Sequence, residues 1–419
     1  MNPFHEKPMK LEDTLMDWRA ICPAPYDKHT VDPYTRTRVI LMNGTEFESV
    51  WFSHQFSRHE LNNDLRRLLA LIRRSEQQQQ KLVSALKAPD ETLLEHTIGY
   101  EQLAVDLTAG LAQREPNRTV KDALDFALLE DFDHLYRYAD LLQMETGEYA
   151  ENLVGRYTEI MPGRPTIVEH RNPLDSIRPH IDAKKDALET RLCVGIITAA
   201  EQQTMNYYMN VSAAYATDLG RRLYQEIGMI EEQHVTHYGS LMDPSETWAE
   251  CLLMHQYTEC YLYWSCVETE TDSRIRSIWQ RLFEQEVAHL HAAAQLLQRV
   301  ENKDWTQVVG RGDFPAPLRL TGHIDYVRGV LASSVQNTAQ GEGYVDVSTL
   351  APDNGFFDYQ ARVNSDVEAV PSHMVISRYI VRNREDYRFE TAPNPIAALR
   401  DRRADNTSVG RKPLPVLTR

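Results

Sequence analysis

The chain has 419 residues, 61 acidic and 45 basic, for a net charge of −16, and an excess of that sign argues against a nucleic-acid backbone as partner. Its length permits two or three domains and a large core. The N-terminal stretch MNPFHEKPMKLEDTLMDW lacks the apolar run of a signal peptide and no run of about 20 apolar residues follows, so a cytoplasmic protein with no membrane partner is expected.

Residues 1–58 read as an N-terminal extension rich in Pro, Tyr, Thr and Asp. Within it TRVILMNGTEFESVWF has the look of two short strands turned at Asn43-Gly44, and a hairpin is predicted there. From 59 to 301 the texture changes to Leu, Ala, Gln, Glu and Arg at a period near 3.6, which predicts an all-α bundle of long helices. Seven are expected, at 59–87, 89–113, 118–145, 182–215, 217–241, 245–269 and 273–301, with proline stops or N-caps at 88–90, 114–117, 243–245 and 271–273. The Gln-rich run EQQQQKL at 76–82 reads as an exposed helix surface. One connection, 146–181, carries MPGRPTIVEHRNPLDSIRPH. Its prolines forbid a continuous helix, and it is predicted to cross the outside of the bundle. Residues 302–419 form a C-terminal extension with one helix near 322–335 and an Arg-rich end. It is expected to wrap the bundle or contact a partner, its last dozen residues disordered. Cys22, Cys193, Cys251, Cys260 and Cys266 contain no CxxC pair, which argues for reduced thiols rather than a disulfide frame or thiolate metal site.

Two stretches match at an offset of one hundred: LLEDFDHLYRYADLL from 128 and GMIEEQHVTHYGSLM from 228. The offset lays Asp131 on Glu231, His134 on His234 and Tyr138 on Tyr238. On a helix, residues three apart share a face, so each pair aims an oxygen and a nitrogen at one spot. Asp131 shares its stripe with Leu124, Ala127, Leu128, Leu135 and Tyr138, and Glu231 with Tyr224, Ile227, Gly228, Val235 and Tyr238. Both carboxylates therefore point inward, where an ionised carboxylate without a cation costs several kcal/mol. The same offset carries Glu101 onto Glu201, each again on an apolar stripe and each thirty residues before a carboxylate-x-x-His pair. Two helical hairpins joined by a long crossover would thus bring together four carboxylates and two histidines.

Through Glu101, Asp131-x-x-His134, Glu201 and Glu231-x-x-His234 the chain resembles the ferritin-like, rubrerythrin-type di-metal carboxylate proteins, over about 150 of its 419 residues. The resemblance implies a four-helix bundle with a long crossover between its second and third helices. It also implies two iron ions, with manganese the alternative, on Glu101, Asp131, His134, Glu201, Glu231 and His234. Asp131 stands where the family uses the longer Glu, and the absence of CxxC means no rubredoxin-like electron-transfer domain. A third hairpin offers Glu259 and Glu286-x-x-His289, a second choice of ligands. A rival centre would join Glu201, Glu231 and His234 to Glu259, Glu286 and His289, although a tight turn at Asp243-Pro244 makes the two histidine helices parallel and disfavours it. Tyr138, Tyr207, Tyr208 and Tyr238 read as core more than as redox groups, and His170, His237, His255 and His291 as structural.

The implied chemistry is oxidation or reduction of oxygen, peroxide or a small organic substrate, in a homo-oligomer, with an external electron donor if it is a reductase. The alternatives are a metal-storage or ferroxidase-type oligomer and a metal-free scaffold whose acids are paired by arginines.

Overall fold

A computed structural model describes residues 1–400, most of them helical. Helix α1 (Pro33–His59) forms a hairpin with α2 (Asn63–Ser84), and α3 (Leu93–Ala112) with α4 (Arg118–Thr146). After a connection holding the single turns α5 (Ala150–Leu153) and α6 (Thr166–Glu169), α7 (Leu188–Ala214) pairs with α8 (Asp218–Gly239) and α9 (Trp248–Thr269) with α10 (Ser273–Glu301). The starts are capped as the sequence suggests: Asn117 and Asp272 accept backbone N–H groups of their first turns, and Thr92 and Thr247 form reciprocal capping boxes with Glu95 and Glu250.

The hairpins form two nested groups. Helices α3, α4, α7 and α8 pack together as an inner bundle, while the outer hairpins α1–α2 and α9–α10 close on each other beside it. Helix α1 stands between the groups, touching α3, α7 and α9. That position explains why residues 33–58 do not form the expected extension with a strand hairpin. From Tyr34 to Met42 every residue of α1 is buried, and a helix buried on all sides loses the 3.6 period that marks a surface helix. The Asn43-Gly44 pair is not a turn: a Cβ on Gly44 would lie 2.9 Å from Cβ of Gln203. The glycine lets α1 and α7 approach. The boundary expected at 58–59 therefore separates α1 from its own partner. The run at 76–82 is likewise not a solvent face, since Glu76 and Gln79 are fully buried against α9 and α10.

The connection between α4 and α7 also departs from expectation. It does not lie on the outside: Glu159, Arg164, Thr166, Ile167, Val168, Glu169 and Arg171 are all buried. The C-terminal segment covers it. That segment comprises α11 (Thr306–Val309), α12 (Ile324–Ser334), the antiparallel strands β1 (Asn337–Gln340) and β2 (Gly343–Asp346), α13 (Gly355–Val363), α14 (Pro371–Asn383) and α15 (Ala397–Arg400). Helix α12 is the one expected near 322–335, and α14 packs on both α4 and α8. Ile160 and Phe389 exchange backbone hydrogen bonds of 2.6 and 2.7 Å, Arg328 pairs with Glu159 at 2.7 Å, and Arg164 donates to the carbonyl of Asn337. Charged residues can be buried here because each finds a partner. The last dozen residues lie outside the described ones. No described helix is long and apolar enough to cross a membrane, and the five cysteines are free thiols, three of them buried.

Two expectations follow from this packing. Gly44→Ala should destabilise the protein by about 1–3 kcal/mol through overpacking against Gln203, although alanine is the better helix former by about 1 kcal/mol; chemical denaturation measures the sign. Asp106 of α3 accepts from Thr158 of the connection (2.8 Å) and Tyr34 of α1 (3.1 Å), and burial pushes its carboxyl up to about 8. An acid whose folded value is raised favours folding while protonated, so its contribution is full below the ordinary value near 3.8 and is lost as pH rises toward 8. Asp106→Asn should therefore change little near pH 4 and gain on the wild type by roughly 1 kcal/mol per pH unit at most toward pH 8. Melting temperatures across that range check it; an equal loss at every pH would contradict it.

Candidate metal centre

The six expected residues meet at the centre of the inner bundle. Glu101 comes from α3, Asp131 and His134 from α4, Glu201 from α7, and Glu231 and His234 from α8; none is more than 1% exposed. Donor atoms of Glu101, Asp131, His134 and Glu231 lie within 4.8 Å of one another, and so do those of Asp131, Glu201, Glu231 and His234. Asp131 and Glu231 belong to both groups. The shorter side chain of Asp131 thus still reaches the shared position. Glu231 sets one oxygen toward each histidine: Oε1 is 3.0 Å from Nδ1 of His134, and Oε2 is 3.2 Å from Nδ1 of His234. Nδ1 of His234 is also 3.3 Å from Asp131 and 3.6 Å from Glu201.

Many of these atoms make no hydrogen bond. Both oxygens of Asp131 and of Glu201, Oε2 of Glu101, Oε2 of Glu231 and Nδ1 of His234 are buried without a hydrogen-bond partner. Among the described residues no lysine or arginine forms an ion pair with any of the four carboxylates. Native interiors rarely leave so many polar atoms unmatched in one place. A set of hard oxygens and imidazole nitrogens, inward-facing and deprived of donors, fits a pair of divalent transition-metal ions.

The electrostatics follow from that crowding. Burial, then the facing charges of Glu231 and Asp131, pushes Glu101 well above the usual carboxylate range; burial and Glu201 do the same to Asp131. Burial lifts Glu231 to about 8 although His234 pulls it down. For His234 burial favours the neutral ring, but Asp131 and Glu130 outweigh it and hold the imidazole above its usual value. Burial and Arg137 push His134 below its own.

A second layer orients the histidines, and sequence reading missed it. Nε2 of His234 meets Glu130 at 2.7 Å, and Arg171 grips both oxygens of Glu130 at 2.8 and 2.9 Å. Burial would raise Glu130, but Arg171 and His234 hold it well below the ordinary carboxylate range. Nε2 of His134 faces Glu169 at 3.8 Å, and Arg137 donates to Glu169 at 2.6 Å. Glu169 and Arg171 come from the α4–α7 connection, so that segment anchors the outer nitrogen of His234 through Glu130, while Nε2 of His134 faces Glu169 without a hydrogen bond. The available signal was the charged quartet around IVEHR in a proline-rich stretch read as solvated.

Tyr208 donates to Glu101 at 2.5 Å, while the hydroxyls of Tyr138 and Tyr238, one turn beyond each histidine, are buried without partners. Tyr207 stacks on Tyr100 outside the centre. His170 and His255 pair with Glu226 and Glu48, His237 meets Tyr344 and His291 lies near Phe4; none reaches the centre. A cavity of about 650 Å³ lies one layer out from His234, lined by His170, Arg171, Glu226 and Gln233.

The second-choice residues do not join this centre. Glu259, Glu286 and His289 gather in the outer group beside Glu46, Glu76 and Gln79, because α9–α10 closes on α1–α2 and not on α8. The rival pairing with Glu201, Glu231 and His234 is thereby corrected. No protein-family model matches the chain, and no curated protein or solved structure does either.

The outer layer makes a direct prediction. Arg171→Met leaves Glu130 buried without its cation and should cost about 3–5 kcal/mol, whereas Arg171→Met with Glu130→Gln should recover most of that loss. Urea denaturation of both variants measures the difference; equal losses would mean the pair is not coupled.

Proposed function

We propose that the protein is a ferritin-like di-metal carboxylate oxidoreductase, with iron as the first-choice metal and manganese the alternative. The observation that carries this reading is the convergence from four helices of carboxylate oxygens, most of them without a hydrogen-bond partner, and of the Nδ1 atoms of His134 and His234, with no arginine or lysine among the described residues paired with them. That observation also counts against the metal-free scaffold, since the buried arginines Arg137 and Arg171 serve the outer layer instead.

Glu101 and His134 would hold one ion and Glu201 and His234 the other, with Asp131 and Glu231, which belong to both donor groups, available to either. Bound there, the pair would supply two-electron chemistry toward oxygen, peroxide or a small organic substrate. The residues of the chain do the rest. Glu130, clamped by Arg171, keeps the proton of His234 on Nε2 and so presents Nδ1 inward. Tyr208 fixes the orientation of Glu101. Burial first, and nearby tyrosine and carboxylates next, keep the hydroxyls of Tyr138 and Tyr238 protonated, so each is a proton donor held in a dry site. The cavity beside Arg171 and Gln233 gives a small substrate a way to within one layer of His234. No described thiol pair serves as an electron relay, so reduction needs a separate donor.

Protein expressed with iron and manganese and purified without chelator should carry about two tightly bound transition-metal ions per chain, and His134→Ala and His234→Ala should each lose most of them while keeping helical content. Elemental analysis beside circular dichroism measures this. A metal-free wild type, or unchanged loading in both variants, would overturn the reading; many ions per chain would point to storage.

A further inference from the structure

The first and last hairpins carry a second convergence of buried groups. Glu46 of α1, Glu76 of α2, Glu259 of α9 and Glu286 of α10 are each at most 1% exposed, and His289 is fully buried. Their order repeats that of the inner centre: Glu46 stands thirty residues before Glu76-x-x-Gln79, and Glu259 twenty-seven before Glu286-x-x-His289. A glutamine occupies the place of one histidine.

Each glutamate gives one oxygen to a neutral donor and keeps one with none. Glu46 accepts from Tyr263, as Glu101 does from Tyr208. Gln256 donates to both Glu76 and Glu259, the Ser49 hydroxyl lies 3.1 and 3.3 Å from the same two oxygens, and Gln79 donates to Glu286 at 2.7 Å. Oε2 of Glu46, Oε2 of Glu76, Oε1 of Glu259 and Oε2 of Glu286 are buried without partners. Among the described residues their sole ion pair is that of Glu286 with His289, at 2.9 Å. Two further observations point to a ligand. The fully buried amide of Gln79, seated against Glu286, leaves its own oxygen without a donor. Nε2 of His289, also fully buried, is likewise without a partner, and a cavity of about 100 Å³ runs up to Glu259, its acids Glu48 and Glu246 paired with His255 and Arg191 of the same lining.

We propose that this cluster is a second cation site, taking one divalent ion on the oxygens of Glu46, Glu76, Glu259 and Glu286 with His289 as its single nitrogen donor. Among the described residues only the inner donors come within 4.8 Å of one another in groups of three or more; here Ser49, Gln79 and Gln256 hold oxygens that an ion must take from them. With one histidine and that exchange to make, it binds more weakly than the inner pair and prefers hard ions such as manganese(II). It stands independently of the inner centre.

The test is titration of chelator-stripped full-length protein with manganese(II), the free ion followed by electron paramagnetic resonance. Wild type should show a tight class and about one further, weaker equivalent. Glu259→Gln with Glu286→Gln should lose the weaker class alone, and His134→Ala with His234→Ala should lose the tight class and keep the weaker. Gln79→His restores the second imidazole and should tighten the weaker class about tenfold. If the double glutamine variant binds as wild type does, or Gln79→His leaves the weaker class unmoved, the proposal is overturned. If the inner variants change nothing while the outer pair abolishes all binding, the outer site stands and the inner reading falls.

Discussion

Four carboxylates held in a dry interior with no lysine or arginine among the described residues paired with them set the terms for the rest of this fold. Such a cluster is tolerated only if protons or cations neutralise it. Here the surrounding helices do the opposite of relieving it. They remove water, supply one tyrosine hydroxyl to Glu101, and aim two imidazole nitrogens inward. A chain selected for stability alone gains by placing leucine at these positions, since well-packed apolar groups of similar volume are commonly neutral or better.

The α4–α7 connection shows how that centre is kept in shape. Its prolines prevent a helix, yet it runs beneath the C-terminal segment with Glu169 and Arg171 turned toward the histidines. Arg171 neutralises Glu130, and Glu130 in turn fixes which nitrogen of His234 faces the carboxylates. Helix α14, packed on α4 and α8, closes over this layer. The C-terminal extension thereby seals the crossover and keeps the outer arginines dry, where a paired charge is worth most and an unpaired one costs most.

Helices α2 to α4 and α7 to α10 were legible as long runs bounded by proline stops and N-caps, and they fall within about six residues of their expected spans, although α3 and α4 are buried on every side over most of their length. The six inner residues were legible because the hundred-residue offset carried them as a set. Helix α1 was not, since its β-branched residues stand around an Asn-Gly pair that imitates the turn of a strand hairpin. Losing α1 hid Glu46, and reading Gln79 as surface hid Glu76. The clue survived in the spacing: Glu46 to Glu76 repeats the thirty residues of Glu101 to Asp131. Arg171 was illegible for another reason, because a charged residue in a proline-rich stretch looks solvated until the segment that covers it is known.

The most direct test of the central claim is anomalous diffraction from crystals of the metal-loaded protein, recorded at the iron and manganese absorption edges. The account predicts two peaks in the inner bundle, one bounded by Glu101 and His134, the other by Glu201 and His234, with Asp131 and Glu231 between them. Absence of anomalous density at those residues in protein shown to carry metal would contradict it.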